Sequence, residues 1–200
     1  GSTLESFYHS WQPKNALEAL IAPIEGASLL HELPAYTVHQ PWLPNHPEER
    51  RAMMEQHIHD ENRWMGKAHL DASFGYGLQG PVSHEKAEIE YSRIVKLTES
   101  IKRYGFDRTR AEEDITVTAV ERDGEHRFCI AHGQHRAAVL AALGYEHVPV
   151  SFIRLVSLSE AQHWPQVYRG TWSLTQAQAY VNHLFDFDAY AWARARGLVE

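Results

Sequence analysis

Cysteine is almost absent. Cys129 is the one thiol among 200 residues, so no disulfide can form within the chain. It lies inside the apolar run Phe128-Cys129-Ile130-Ala131, a poor setting for a reactive thiol and one compatible with a reducing compartment. A cytoplasmic location is therefore expected. No apolar run approaches the roughly 18 residues of a membrane span, and no charged-then-apolar leader opens the chain. Gly1-Ser2 resembles a cloning scar, so nothing is read from where the chain starts. No lysine or arginine cluster exceeds two residues, and the formal net charge is −7. That balance argues against a protein that coats nucleic acid and leaves open only a local basic groove. Internal repeats and low-complexity tracts are also lacking.

What is present suits a folded core. Hydrophobic residues make up 44% of the chain and aromatics 11%, enough for one domain with extensions rather than two full domains. Residues 1–75 read as an amino-terminal extension that wraps as extended chain, because Pro13, Pro23, Pro34, Pro41, Pro44 and Pro47 break longer elements. It has room for one short helix over Asn15 to Ile21, then a longer one that starts at Asn45 with Glu48 three residues on and runs to about Met65. That helix places His57 and Glu61 at i and i+4. Two ligands without a third do not make a metal site, and a solvated polar face is the better reading of this stretch and its neighbour His59.

Residues 76–156 carry the chemistry. The glycine-rich loop Ser73 to Ser83 leads into Lys86, Glu88, Glu90 and Arg93, a concentration of hydroxyl, cation and carboxylate that suits the edge of an active site. The spacing of Ile94, Leu97, Ile101 and Tyr104 predicts a helix from about Glu90 to Tyr104, with Gly105 in place to stop it. After a polar loop, Asp107 to Asp114, a strand runs from Ile115 to Glu121. Arg122-Asp123-Gly124-Glu125 signals a hairpin, and His126 to Ala131 returns. The turn His132-Gly133-Gln134-His135-Arg136 then opens into an alanine-rich helix closed by Gly144. Gly133 permits the tight turn, and the first N–H groups of the helix, with the Arg136 guanidinium, suit an anion, phosphate above all. A further strand spans His147 to Val156. Residues 157–200 read as a helical tail packed on the core, with capping pairs Ser159/Gln162 and Ser173/Gln176 and a last helix from about Phe187. The expected class is α/β (α+β), a small mixed sheet with packed helices and helical extensions at both ends.

The order of parts from Glu90 to Phe152 resembles the ParB and sulfiredoxin superfamily, often labelled ParB-like nuclease domain. The matching pieces are Leu97 to Gly105 with Ser100 and Ile101, Ile130 to Arg136 with its Gly-x-His-Arg turn, Leu143-Gly144, and Val148-Pro149-Val150. The resemblance implies a nucleotide-binding fold whose turn, here Gly133, Gln134, His135 and Arg136, holds the phosphates of ATP or CTP, with Mg²⁺. Nearest in layout are the free-serine-kinase-like stand-alone members. Gln134 stands where sulfiredoxins keep a cysteine, which argues against sulfinic-acid reduction. His132 stands where serine kinases keep an aspartate, which weakens direct transfer of their substrate and metal roles.

Two functions follow from this resemblance. One is a phosphotransferase, an ATP-dependent kinase or NTPase, acting on a small hydroxyl acceptor such as a sugar or amino acid of cell-surface polysaccharide metabolism. In it Glu90 is the base, with Glu88 as neighbouring candidate; Lys86 and Arg93 stabilise charge; and Ser83, His132, His135 and Arg136 attend the nucleotide. The bland alternative makes Glu88 and Glu90 helix-N-terminal carboxylates favoured by the dipole, worth about 0.3–1 kcal/mol. The other function is a nucleotide-gated binding module with a protein or DNA partner and a homodimer as its state. Its DNA version is disfavoured by the acidic balance and by the short, non-basic tail. A nuclease ranks last for want of a multi-carboxylate cluster. Trp42, Trp64, Phe74 and Tyr76, with Trp164, Tyr168, Arg169 and Trp172, are the residues from which an aromatic-lined acceptor pocket would be built.

Overall fold

The computed structural model describes residues 11–77, 80–108 and 114–199. Leu78 and Gln79 of the glycine-rich loop, and residues 109–113 of the polar loop, lie outside the described residues. In chain order the helices and strands are α1 (Ala16–Ala19), α2 (Ser28–Glu32), α3 (Pro47–Trp64), α4 (His84–Tyr104), β1 (Thr116–Arg122), β2 (Glu125–His132), α5 (Gln134–Ala142), β3 (Ser151–Ser157), α6 (Pro165–Tyr168), α7 (Leu174–Asp186) and α8 (Ala189–Arg194). The class is α+β, with helices and one small mixed sheet. No helix among the described residues is long and apolar enough to cross a membrane.

The chain divides into two compact units, Gly1–Ile89 with Ala161–Glu200, and Glu90–Glu160. The boundary falls inside α4. In the second unit the sheet order is β2-β1-β3, with β1 antiparallel to β2 and parallel to β3. The hairpin between β1 and β2 turns on Asp123 (φ 55°) and Gly124 (φ 84°), the left-handed pair that a two-residue turn of matching twist requires. Ile101 of α4, Ile115 and Val117 of the first strand region, and Val139 and Leu140 of α5 form its core, with Ile94, Leu97, Val148 and Val150 packed against it. The register puts Phe128 and Ile130 of β2 on the same face as Phe152 and Leu155 of β3, across Ala119 and Val117. That face is exposed at all four side chains.

The first unit is helical. Trp42, Trp164, Trp172 and Tyr180 are buried together, with ring centroids 5.4–5.7 Å apart. A smaller cluster joins Tyr36 to Met54 and Ile58 of α3. The tail is tied to the amino-terminal segment by Gln166, whose Nε2 donates to Leu43 O at 2.6 Å and Asn45 O at 2.7 Å. Gln176 Nε2 likewise donates to Glu25 O at 3.0 Å.

Several boundaries differ from the expected ones. Helix α3 starts at Pro47 behind His46, whose N–H donates to Glu49 Oε2 at 3.1 Å; the capping pair is one residue later than Asn45/Glu48. Helix α2 was not anticipated. Helix α4 begins six residues earlier than Glu90, capped by Ser83 Oγ, which accepts from Lys86 N at 3.2 Å. Strand β3 starts at Ser151 rather than His147, because Val148 and Val150 are drawn into the core instead of pairing.

Candidate active site

The turn after β2 has the shape its sequence requires. Gly133 adopts φ 83° as N-cap of α5, a left-handed conformation that a side chain disfavours. A Cβ there would also lie 3.1 Å from Ile115 Cγ1 and 3.2 Å from Ile115 Cα. The helix follows at once, and Ala137 N is the first to reach back, to Gly133 O at 2.9 Å. The N–H groups of Gln134, His135 and Arg136 therefore stand at the helix head, ahead of its first i→i−4 bond. Gln134 itself is exposed, its Nε2 donating to Ala131 O at 3.0 Å. His132 is exposed at the end of β2.

Behind the head of α5 lies a buried carboxylate. Glu90 of α4 is 1% exposed. Its Oε2 lies 3.5 Å from His135 Nε2, and Arg93 Nη1 donates to Oε1 and Oε2 at 3.4 and 3.3 Å. His135 is 22% exposed at its side chain and Arg93 39%. The carboxylate is thus the enclosed member, and the imidazole and guanidinium are the reachable ones. Glu90 stands almost two turns into α4, so the reading of it as a helix-N-terminal dipole carboxylate no longer applies. Its burial also disfavours its touching a substrate directly, and the side chains it contacts, His135 and Arg93, are the ones open to solvent. A carboxylate against one ring nitrogen fixes which way a histidine presents the other.

No protein-family model, curated protein or solved structure matches this chain. Geometry and chemistry alone carry the site.

Beside this cluster is a feature the sequence did not reveal. Asp114 accepts from both Arg108 Nε at 2.5 Å and Arg108 Nη2, and from Ser151 Oγ at 2.6 Å. The Arg108 hydrogen bonds, then that of Ser151, hold its carboxyl well below the usual range, and the Arg136 charge acts in the same direction. Arg136 is therefore within electrostatic reach of an anchored aspartate. The signal was available only as two charges flanking a loop, which has no spacing rule.

The other expected site residues fall elsewhere. Ser83 is the N-cap of α4. The Lys86 side chain has no exposed surface; its Nζ donates to Asn62 Oδ1 at 2.9 Å and lies 3.6 Å from Glu61 Oε2. Such an ammonium holds α4 to α3 and is not presented to a ligand. Glu88 is exposed and pairs with His84 Nε2 at 3.2 Å. His57 contacts the Tyr76 hydroxyl at 2.9 Å while Glu61 faces Lys86, so the two do not converge. No group of three or more His, Cys, Asp or Glu that could hold a metal occurs among the described residues. Trp42, Trp164 and Trp172 are core, whereas Trp64 and Tyr168 are exposed; they do not line one pocket. Burial raises the Cys129 thiol to about 11, well away from a nucleophile's range.

Mg²⁺ takes oxygen ligands, usually one or two carboxylates with substrate phosphates. Glu90 is the carboxylate of the cluster and faces a guanidinium and an imidazole. Among the described residues the cluster does not offer the carboxylates of an Mg²⁺ site.

Proposed function

We propose that the chain is a nucleotide-binding phosphotransferase of the ParB and sulfiredoxin type, cytoplasmic, transferring the terminal phosphoryl group of ATP to a small hydroxyl acceptor. The observation that carries this reading is the buried Glu90 carboxylate 3.5 Å from His135, at the head of a helix entered through a left-handed glycine. The first N–H groups of α5 and the Arg136 guanidinium receive the phosphates. Arg93 adds positive charge where the transferred group gains negative charge. The acceptor oxygen attacks the terminal phosphorus, its proton passes to His135, and the bond to the nucleoside diphosphate breaks. Glu90 acts through His135 by fixing the ring.

A second reading, a nucleotide-gated binding module, is favoured by one observation, the exposed apolar face of Phe128, Ile130, Phe152 and Leu155. A surface of that kind suits a partner or a second copy.

A thermal-shift screen of ATP, ADP, GTP and CTP, with and without Mg²⁺, separates the two. A purine response with ADP release on adding acceptors supports transfer, and a CTP response supports the switch. For the transferase, His135→Asn is expected to keep the nucleotide-induced shift and lose ADP release by about 100-fold or more; Glu90→Gln loses release in part. No shift with any nucleotide overturns both readings.

A further inference from the structure

The helical unit contains a cavity of about 530 Å³ that the nucleotide reading does not use. Its size lies within the range of small-molecule sites, about 300–1,000 Å³. Tyr36, Glu55, Asp71, Ser73 and Lys14 supply its polar groups.

The walls are built rather than incidental. Gly75 lines the cavity at φ 88°, and a Cβ there would meet Pro81 O at 2.4 Å and Val82 Cα at 2.8 Å. Two passes of backbone are thus in direct apposition, with Ser83 N donating to Phe74 O at 2.9 Å. At Gly80 a Cβ would lie 3.2 Å from Gln12 Oε1, the same oxygen that accepts from Val82 N at 2.6 Å. One side of the cavity is therefore closely packed main chain.

The polar groups keep positions open to a ligand beside the hydrogen bonds they already make. Tyr36 is buried, and its hydroxyl donates to Glu55 Oε1 at 2.9 Å, where Arg51 Nε also donates at 2.9 Å. Burial and the Glu55 carboxylate raise the Tyr36 phenol to about 12, so it remains a donor and Glu55 is held in place. Asp71 Oδ1 accepts from Ser73 N at 2.8 Å and Ser73 Oγ at 2.5 Å. Glu55 Oε2 and Asp71 Oδ2 receive no hydrogen bond among the described residues, and the Lys14 ammonium makes none there. Lys14, Asp71 and Ser73 are exposed and Glu55 is half-exposed, so water meets these oxygens and this ammonium until a ligand replaces it. An anion would satisfy Lys14 but face two carboxylates, and a simple cation would do the reverse. A run of hydroxyl groups satisfies all three, since each hydroxyl donates and accepts.

We propose that this cavity binds a small polyhydroxylated molecule, a sugar or cyclic polyol. The claim rests on the cavity alone and stands whether or not the second unit binds nucleotide. The test is saturation-transfer NMR and calorimetric titration of the full chain, without nucleotide, with D-glucose, D-mannose, myo-inositol and L-serine as probes. Saturable binding of a sugar or of inositol is expected, weakened about tenfold or more in Asp71→Asn and in Glu55→Gln, each losing a charge-assisted hydrogen bond. Asp71 is at the surface, so its variant is expected to keep the wild-type circular dichroism and melting temperature, which separates lost binding from lost folding. No saturable binding of any polyol at millimolar concentration overturns the proposal. Binding of serine alone, or polyol binding unchanged in both variants, does so too.

Discussion

Lys86 and Glu90 show why side-chain chemistry could not be read from residue type. Both lie on α4 among cations and carboxylates that look like the rim of a site, and both are buried. Lys86 is spent on Asn62 and Glu61, whereas Glu90 supports an accessible histidine. Which role each plays depends on partners that are distant in sequence, Asn62 in one case and His135 in the other. A buried ammonium with a neutral hydrogen-bond partner and a partly exposed carboxylate is a stability element. Lys86→Met keeps the length and removes the charge, leaving Asn62 Oδ1 unpaired. It is expected to lower unfolding free energy by about 1–3 kcal/mol in urea titrations, while leaving any nucleotide-induced thermal shift intact. A lost shift in a folded Lys86→Met protein would return Lys86 to the binding site.

Among elements, the most legible was the strand, turn and helix from β2 into α5. Gly133 and the alanine-rich run define its start within a residue, because a left-handed N-cap admits few alternatives. The Ser173/Gln176 box also stands as expected, Gln176 N donating to Ser173 Oγ at 3.1 Å and Ser173 N to Gln176 Oε1 at 2.8 Å. The start of α4 was not legible. Ser83 is followed at the third position by Lys86, not Glu or Gln, so no capping box marks it, and the apolar spacing gathers only from Ile94. Helix α2 was hidden for a similar reason: Ala27 at its N-cap makes no side-chain cap. Gly133→Ala forces a side chain into the left-handed region and against Ile115. A loss of about 1–2 kcal/mol of stability is expected, measured by urea unfolding; an unchanged midpoint would mean the turn relaxes freely.

For the whole molecule, the acid limb of stability is spread over both units. His39 is buried, and desolvation holds its pKa below the ordinary 6.5. Between that value and its folded pKa the unfolded chain binds the proton, so stability begins to fall as pH drops below about 6.5. Asp114, Glu121 and Glu85 are each held below their ordinary values, by Arg108, Ser157 and His69 respectively as the leading cause. A carboxyl with a depressed folded pKa contributes stability above its unfolded value, near 4, and loses it as pH falls through the folded pKa. Unfolding free energy is therefore expected to decline gently below pH 6.5 and steeply below about pH 4. In Asp114→Asn the steep part is shallower, as checked by urea titrations across pH. A variant with the wild-type acid limb would show that the Arg108 bridge forms equally in the unfolded chain.

The sequence by itself determined the elements whose signals are local: the hairpin at Asp123-Gly124, the glycine turn at Gly133, the capped helix at Ser173, and a chain without an internal disulfide. Those depend on a few consecutive residues and on backbone freedom. Only the tertiary structure decided which charged residues meet. It set Glu90 against His135, anchored Asp114 on Arg108 and Ser151, and sent Lys86 to Asn62. It also placed Trp42, Trp164 and Trp172 in a core and left a polar cavity walled by Gly75 and Pro81. Apart from Arg108 with Asp114, such pairings join residues tens of positions apart, where no periodicity or spacing rule reaches, and they follow from how the elements pack.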